Sequence, residues 1–261
     1  MGRLAAAADV RDRDEEGRLI YPEYLLISEL NQWSPEQDLP WQALDREAAH
    51  AQPEILEQLR ASCLIEAMHP VTTRHLMGLL WDDVDATSVL SIELAEGFRH
   101  YYVLRRYLEA VGHQPPISDE EIVAARQRAG KALEGEDDLT GELVNFIFSE
   151  HFAAYYFVRV KQRSQEPVLR AMAHHIARDE FRHTQLSEHL LRRRLERDEA
   201  SAHRVLEAAA NFRHYGSMAL EEVPVFQRGD LGAIASFMKK IEALTGRRVV
   251  DYLKQLLPED E

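Results

Sequence analysis

The chain has 261 residues, 45% hydrophobic and 29% charged, enough to bury a sizeable core as one large domain or two small ones. Its 31 Lys and Arg against 45 Asp and Glu leave a net charge of −14, which argues against nucleic acid as a general partner, because phosphate binding needs clustered cations. No apolar run reaches about 18 residues, so no membrane insertion is expected, and a single cysteine, Cys63, rules out an internal disulfide and suits a cytoplasmic protein.

Residues 1–20 read as a flexible, charged lead-in whose apolar stretch is too short for a signal peptide. Residues 21–261 read as a single helical domain, with no linker or low-complexity segment dividing them. Hydrophobic spacing predicts helices near 53–80, 85–112, 118–133, 139–164, 167–197, 200–217, 231–245 and 247–256. Pro70 is expected to kink the first of these. Gly112 with Pro115 and Pro116 ends the second, and Ser118 with Glu121 forms a capping box for the third. Asp138 or Thr140 can cap the helix at 139, and Pro167 fits a first turn.

A long helix, a short turn and a second long helix carrying Phe-Arg-His occur at about 53–112 and again at about 139–197. Four long helices in two hairpins make a four-helix bundle, so the fold class expected is all-α with additional C-terminal helices. Carboxylates fall where that bundle needs a core. Glu150 sits inside LVNFIFSEHFAAYYFVRV, apolar on nearly every face, and Glu66 sits inside CLIEAM. A lone ionised carboxylate in a core costs several kcal/mol, so each needs a partner, and a metal ion is one such partner. Glu66 precedes His100 by 34 residues and Glu150 precedes His183 by 33, each gap fitting a hairpin that returns to its starting level. Glu180 and His183 are spaced i, i+3 on one helix face. Bundles that hold two irons use one Glu from each of two helices plus Glu-x-x-His from each of the other two. Five members of that set are in register: Glu66, His100, Glu150, Glu180 and His183. Each alone has a bland reading, since Glu-x-x-His is common on exposed helices and a single buried Glu often pairs with Arg.

The segment EGFRHYYVLRRYLEAVG resembles the EENRH region of soluble acyl-carrier-protein desaturases, and DEFRH resembles their second motif, DEKRH. Glu66 followed by Pro70 matches the Glu and Pro of their first iron-binding helix, and the similarity extends over roughly residues 30–257. The motifs are specific as a set and weak singly. The resemblance implies a homodimeric ferritin-like bundle with two iron ions, using O2 as co-substrate on a fatty acyl chain borne by acyl carrier protein, with electrons from ferredoxin. It implies metal ligands at Glu66, His100, Glu150, Glu180 and His183, and hydrogen bonds from Glu96 and Asp179 to the histidine rings. A hydroxylase or N-oxygenase of another small or carrier-bound metabolite, and a non-catalytic metal-binding bundle, are the competing readings.

The chain departs from this pattern at Gly97, where the family has a ligand carboxylate, and at Ala153, where it has Thr. Three arrangements could answer the first departure. Glu93, one turn earlier, shares the face of Gly97 and His100 and could swing in. Glu96 is adjacent but rotated about 100° around the helix. Or the coordination position stays open and one metal is weakly held; a mixed Mn/Fe pair is a further option. Cys63 shares the face of Glu66, while Tyr101, Tyr102, Tyr155, Tyr156 and Trp81 are oxidisable, although packing explains both observations as well. Phe146, Phe157 and Leu94 are expected to line a tunnel for the chain. Arg192, Arg193, Arg194 and Arg197 form the densest cationic spot and the candidate docking patch for an acidic carrier.

Overall fold

In the computed structural model, residues 20–197, 201–220 and 230–256 are described. The expected lead-in lies outside them except for Ile20, whose backbone N–H donates to the Asp85 carboxylate at 2.8 Å. The helices are α1 Tyr21–Asn31, α2 Arg46–His50, α3 Pro53–Glu66, α4 His69–Leu79, α5 Val84–Val111, α6 Asp119–Ala132, α7 Leu139–Arg163, α8 Pro167–Arg197, α9 Ser201–Ala210, α10 Gly216–Ala219, α11 Leu231–Thr245 and α12 Val249–Leu256. A 3-10 turn covers Trp41–Ala43, and no strand occurs among the described residues.

The bundle has four walls. The pair α3 and α4 forms one, α5 the second, and α7 and α8 the other two. Helix α7 packs along α8, α3 and α4 pack along α5, and contacts of α5 with α8 and α4 with α7 close the ring. Helices α9 and α11 cover the outer side of α7, α12 packs on α9 and α11, and α1 lies along α5. The fold is an all-α, ferritin-like four-helix bundle with added C-terminal helices.

Local chemistry sets the long helix ends. Asp83 accepts from the Ala86 N–H at 3.0 Å to start α5, and Gly112 ends it at φ 74°, a left-handed conformation that favours glycine. Ser118 Oγ accepts from the Glu121 N–H at the start of α6, and the Asp138 side chain caps α7. Glu166 Oε2 accepts from the Leu169 N–H at 2.6 Å over the first turn of α8.

Two helix predictions need correction. The helix expected over 53–80 does not kink at Pro70 but breaks at Ala67-Met68, and a new helix starts at His69. Pro70 has no N–H for the Glu66 carbonyl and its ring crowds that carbonyl, so the chain turns before it. The helix expected over 200–217 stops at Ala210, and only one further turn, Gly216–Ala219, follows. The helices α1 and α2 were not anticipated. The buried residues of α1 are Tyr24 and Ser28, whose hydroxyls also hydrogen-bond, so hydrophobic spacing carries little of its signal.

His151 fastens α11 to the bundle. It is 1% exposed, and its Nε2 lies 3.0 Å from the Ala233 carbonyl oxygen. Burial pushes this imidazole down to about 4 from 6.5. The unfolded chain therefore takes up the proton first as pH falls, so the stability is whole above pH 6.5 and is lost toward pH 4. His151→Gln keeps a donor for Ala233 but cannot titrate. Denaturant titrations should show up to about 3 kcal/mol less stability loss between pH 6.5 and 4 in this variant; an unchanged pH profile would remove His151 from that role.

Candidate metal centre

Seven carboxylate and imidazole side chains from all four walls meet within the bundle. Glu66 ends α3, Glu93 and His100 lie two turns apart on α5, Glu150 is mid-α7, and Glu180 and His183 are on α8. His69, at the start of α4, is the seventh. All are buried, with His100, His183, Glu93 and Glu180 at 0% exposure. Two groups have ligand atoms within 4.8 Å of one another: Glu66, His100 and Glu180, and Glu93, Glu150 and His183.

Glu180 joins the two groups. Its Oε1 lies 2.8 Å from His100 Nδ1, and its Oε2 lies 3.1 Å from His183 Nδ1. His100 Nδ1 also lies 3.7 Å from Glu66 Oε2, and His183 Nδ1 lies 3.2 Å from Glu150 Oε2 and 3.8 Å from Glu93 Oε1. Both rings thus turn Nδ1 toward the inner carboxylates. Both turn Nε2 outward, His100 to Asp179 at 3.2 Å and His183 to Glu96 at 2.8 Å. The pairing crosses over: the ring on α5 uses an acid from α8, and the ring on α8 uses one from α5. Arg182 ties the two outer acids together, donating to Glu96 at 2.7 Å and Asp179 at 2.9 Å. Ser28 and Tyr24 of α1 also donate to Glu96, and Trp33 Nε1 donates to Asp179 at 2.7 Å.

Charge distribution within the cluster is uneven. Burial pushes Glu93 up to about 7, and burial together with Glu180 pushes Glu150 well above the usual carboxylate range. For Glu180 burial acts the same way, but the two histidines outweigh it and hold the group well below that range. Burial disfavours protonated His100 and His183, yet the surrounding acids raise both well above 6.5. Protons therefore do the neutralising when nothing else is bound. They do it incompletely. Neither oxygen of Glu93 has a hydrogen-bond partner, nor do Glu66 Oε2, Glu180 Oε1 and His100 Nδ1. Nδ1 and Oε1 of the last two approach to 2.8 Å without hydrogen-bond alignment, as donors aimed at a shared point between them would. Buried polar groups are otherwise almost always satisfied, so these atoms fit a cation better than they fit each other.

The five side chains read from sequence as ligands are all in this cluster, and Glu93 joins them in the half opposite His100. Glu96 and Asp179 sit behind the two rings. Gly97 faces the His69 imidazole, a residue that sequence reasoning missed although Glu66-Ala67-Met68-His69 repeats the Glu-x-x-His spacing. Tyr24 and Trp33, also missed, touch the outer acids. Cys63 is packed in the core with its thiol 3.8 Å from the Tyr101 carbonyl oxygen, and burial pushes it up to about 12, so it remains a thiol. Tyr101 accepts from Arg105, Tyr102 donates to Glu36, and Trp81 is 78% exposed. Phe146 and Phe157 are core residues and Leu94 is half-buried. Arg192 is exposed, whereas Arg193 is ion-paired with Asp85 and Arg194 donates to Thr140 Oγ1 at 2.8 Å. A cavity of about 120 Å³ lies at that bundle end, lined by Leu80, Asp83, Leu143, Leu190, Arg193 and Arg194 among others. The Arg197 side chain falls outside the described residues.

No protein-family model matches the sequence, and neither does any curated protein. Solved structures do match. The R2-like ligand-binding oxidase from Sulfolobus acidocaldarius superposes with a TM-score of 0.61 at 13% identity, covering 90% of this chain and 94% of that one. The fold is shared with R2-like ligand-binding oxidases. A variant of such an oxidase with an anaerobically reconstituted Mn/Fe cofactor aligns at TM-score 0.54 and 15% identity, covering 93% of this chain and 90% of that one. Another, with an aerobically reconstituted Fe/Fe cofactor, aligns at TM-score 0.53 and 13% identity, covering 95% and 88%. Among the described residues no helix is long and apolar enough to cross a membrane.

The Glu93 carboxylate, which has no hydrogen-bond partner, yields a prediction for protein stripped of metal. The unfolded chain ionises this group near 4.5 and the folded chain near 7, so its stabilising contribution is whole below pH 4.5 and gone above 7. At pH 8 the metal-stripped Glu93→Gln variant should be more stable than the parent by about 1–3 kcal/mol, read as a Tm higher by several degrees. A lower Tm for the variant under those conditions would mean that Glu93 has a partner in solution.

Proposed function

We propose that this protein is an O2-dependent, non-haem dinuclear metal oxidase, with two irons or a mixed Mn/Fe pair as its cofactor. The observation that carries the reading is the shared Glu180 between two carboxylate–histidine groups, surrounded by buried oxygens without hydrogen-bond partners. Glu66, His100 and Glu180 would hold one ion, and Glu93, Glu150, His183 and the second oxygen of Glu180 the other. Four carboxylates match the four positive charges of two divalent ions, so a loaded site is close to neutral. The cofactor would supply electrons for O2 reduction and a site for O2 binding.

The chain's own residues do the rest. Asp179 and Glu96 accept from Nε2–H of His100 and His183, which leaves each Nδ1 bare toward the centre and fixes both rings. Arg182 holds those two acids in place and offsets their charge. Apolar side chains of α5 and α7, among them Leu90, Phe146 and Ile147, exclude bulk water from the surroundings.

A fatty acyl chain delivered on an acyl carrier is the substrate class we propose, supported by the desaturase-like EGFRH and DEFRH segments. In this reading a small electron-donor protein such as ferredoxin supplies electrons and the protein works as a homodimer. Among the described side chains of the docking patch, Arg192 is exposed. The glycine at 97 and Ala153 favour a second outcome on the same centre, oxygen insertion into another metabolite, over a pure desaturase.

Anaerobic loading with Fe(II) should give two ions per chain, and admission of O2 should be followed by rapid O2 uptake. Glu150→Gln and His183→Ala should each bind no more than one ion and lose at least about 100-fold in uptake rate. A loss of two mass units from an acyl-carrier substrate would assign desaturation, and a gain of sixteen would assign insertion. A wild-type protein that binds fewer than two ions, or binds them and leaves O2 untouched, would refute the oxidase.

A further inference from the structure

The room left by the missing side chain at Gly97 is taken. A β-carbon built on that residue would lie 2.6 Å from His69 Nδ1 and 2.7 Å from both its Cγ and Cε1. Real β-carbons do not approach so closely, so the imidazole ring lies flat against the glycine and only glycine can face it. His69 and Gly97 come from different walls, α4 and α5, and each presupposes the other. The ring starts where a longer side chain at 97 would start.

The other end of the ring reaches the cluster. His69 Nε2 lies 3.1 Å from Glu66 Oε2, an oxygen that itself sits 3.7 Å from His100 Nδ1. His69 is also close enough to influence the charge on Glu93, in the other half of the site. Its side chain is 8% exposed, and Nδ1 has no hydrogen-bond partner. A buried imidazole with one idle nitrogen and the other beside a ligand carboxylate is unusual for a residue that only packs. The helix break at Ala67-Met68 explains the placement. It starts α4 with His69 in its first turn, directly after Glu66, and turns the ring into the bundle.

We propose that His69 is a metal-ligating residue of this centre, a third imidazole that stands in for the side chain residue 97 does not have. The inference rests on the dinuclear reading given above. The carboxylate expected at 97 is thus replaced by two groups, Glu93 one turn earlier on the same helix and His69 across the interface. Glu93 keeps the number of inner carboxylates at four, and the imidazole adds one neutral donor. It also commits the site to metals that accept nitrogen readily, such as iron, over those that prefer oxygen alone.

The experiment counts ions and nitrogens in the same samples. Wild-type, His69→Ala and His69→Gln proteins are loaded anaerobically with Fe(II), and binding is measured by chelator competition and elemental analysis. Pulsed EPR of the one-electron-oxidised pair then counts the histidine nitrogens bound directly to metal. Wild type should give two ions and three nitrogens. Both variants should keep the Tm of the metal-stripped protein within a few degrees, bind one ion at least about 100-fold more weakly, and show two nitrogens. The exchange variant His69→Ala/Gly97→Glu should recover tight binding of the second ion, whereas Gly97→Glu alone should not, because His69 blocks it. Two nitrogens in a wild-type protein holding two ions would overturn the role of His69 and leave the dinuclear centre standing. A wild type that binds no pair of ions would overturn both.

Discussion

Four buried carboxylates around two imidazoles are the constraint on which this structure turns. Glu66, Glu93, Glu150 and Glu180 come from three of the bundle's long helices and the end of a fourth, and an apolar interior gives them no water to share. Removing ions from water without compensation is among the largest penalties a fold can meet. The helices approach closely here only because something positive stands between the acids. Protons on the histidines and on some carboxylates do this in part, and the idle oxygens mark what they leave undone.

The surroundings of the cluster follow from the same constraint. For each imidazole to keep one nitrogen bare toward the centre, a fixed acceptor must stand on the other side. Glu96 and Asp179 are those acceptors, and they would add further charge to the core without Arg182 between them. This explains why α1 and the turn after it belong to the site: Tyr24 and Ser28 of α1, and Trp33 just beyond it, donate to the outer acids. A dense hydrogen-bond network of this kind rigidifies the helices that carry it, so the inner side chains are held before any ligand arrives. The cross-over of the two pairs, α5 to α8 and back, makes the arrangement close to two-fold symmetric, in keeping with the repeated Phe-Arg-His hairpins.

The symmetry fails at one point. The α8 copy carries Glu180, shared between both halves, where the α5 copy carries Gly97. Glu93, one turn away, groups with Glu150 and His183 rather than with its own helix partner His100. His69 fills the volume at Gly97 from outside. The centre is therefore lopsided, and its two ions would see different donors. R2-like ligand-binding oxidases with Mn/Fe as well as Fe/Fe cofactors share the fold.

Much of this was legible in the residues alone. Spacing along helical hairpins placed Glu66 level with His100 and Glu150 level with His183, because a helix has a constant rise and a short turn returns it to the same height. Buried acids in an apolar helix announced a shared site without revealing its occupant. The sequence also showed that residue 97 lacked its carboxylate and that Glu93 was on the right face. What spacing could not settle was anything depending on contact between different helices. Which half Glu93 would join, that Glu96 would serve His183 on another helix, that α1 would lend its hydroxyls, and that His69 would occupy the space above Gly97 are outcomes of how the four walls dock. Periodicity describes one helix at a time; the distance between side chains on two helices is decided only when their cores pack together.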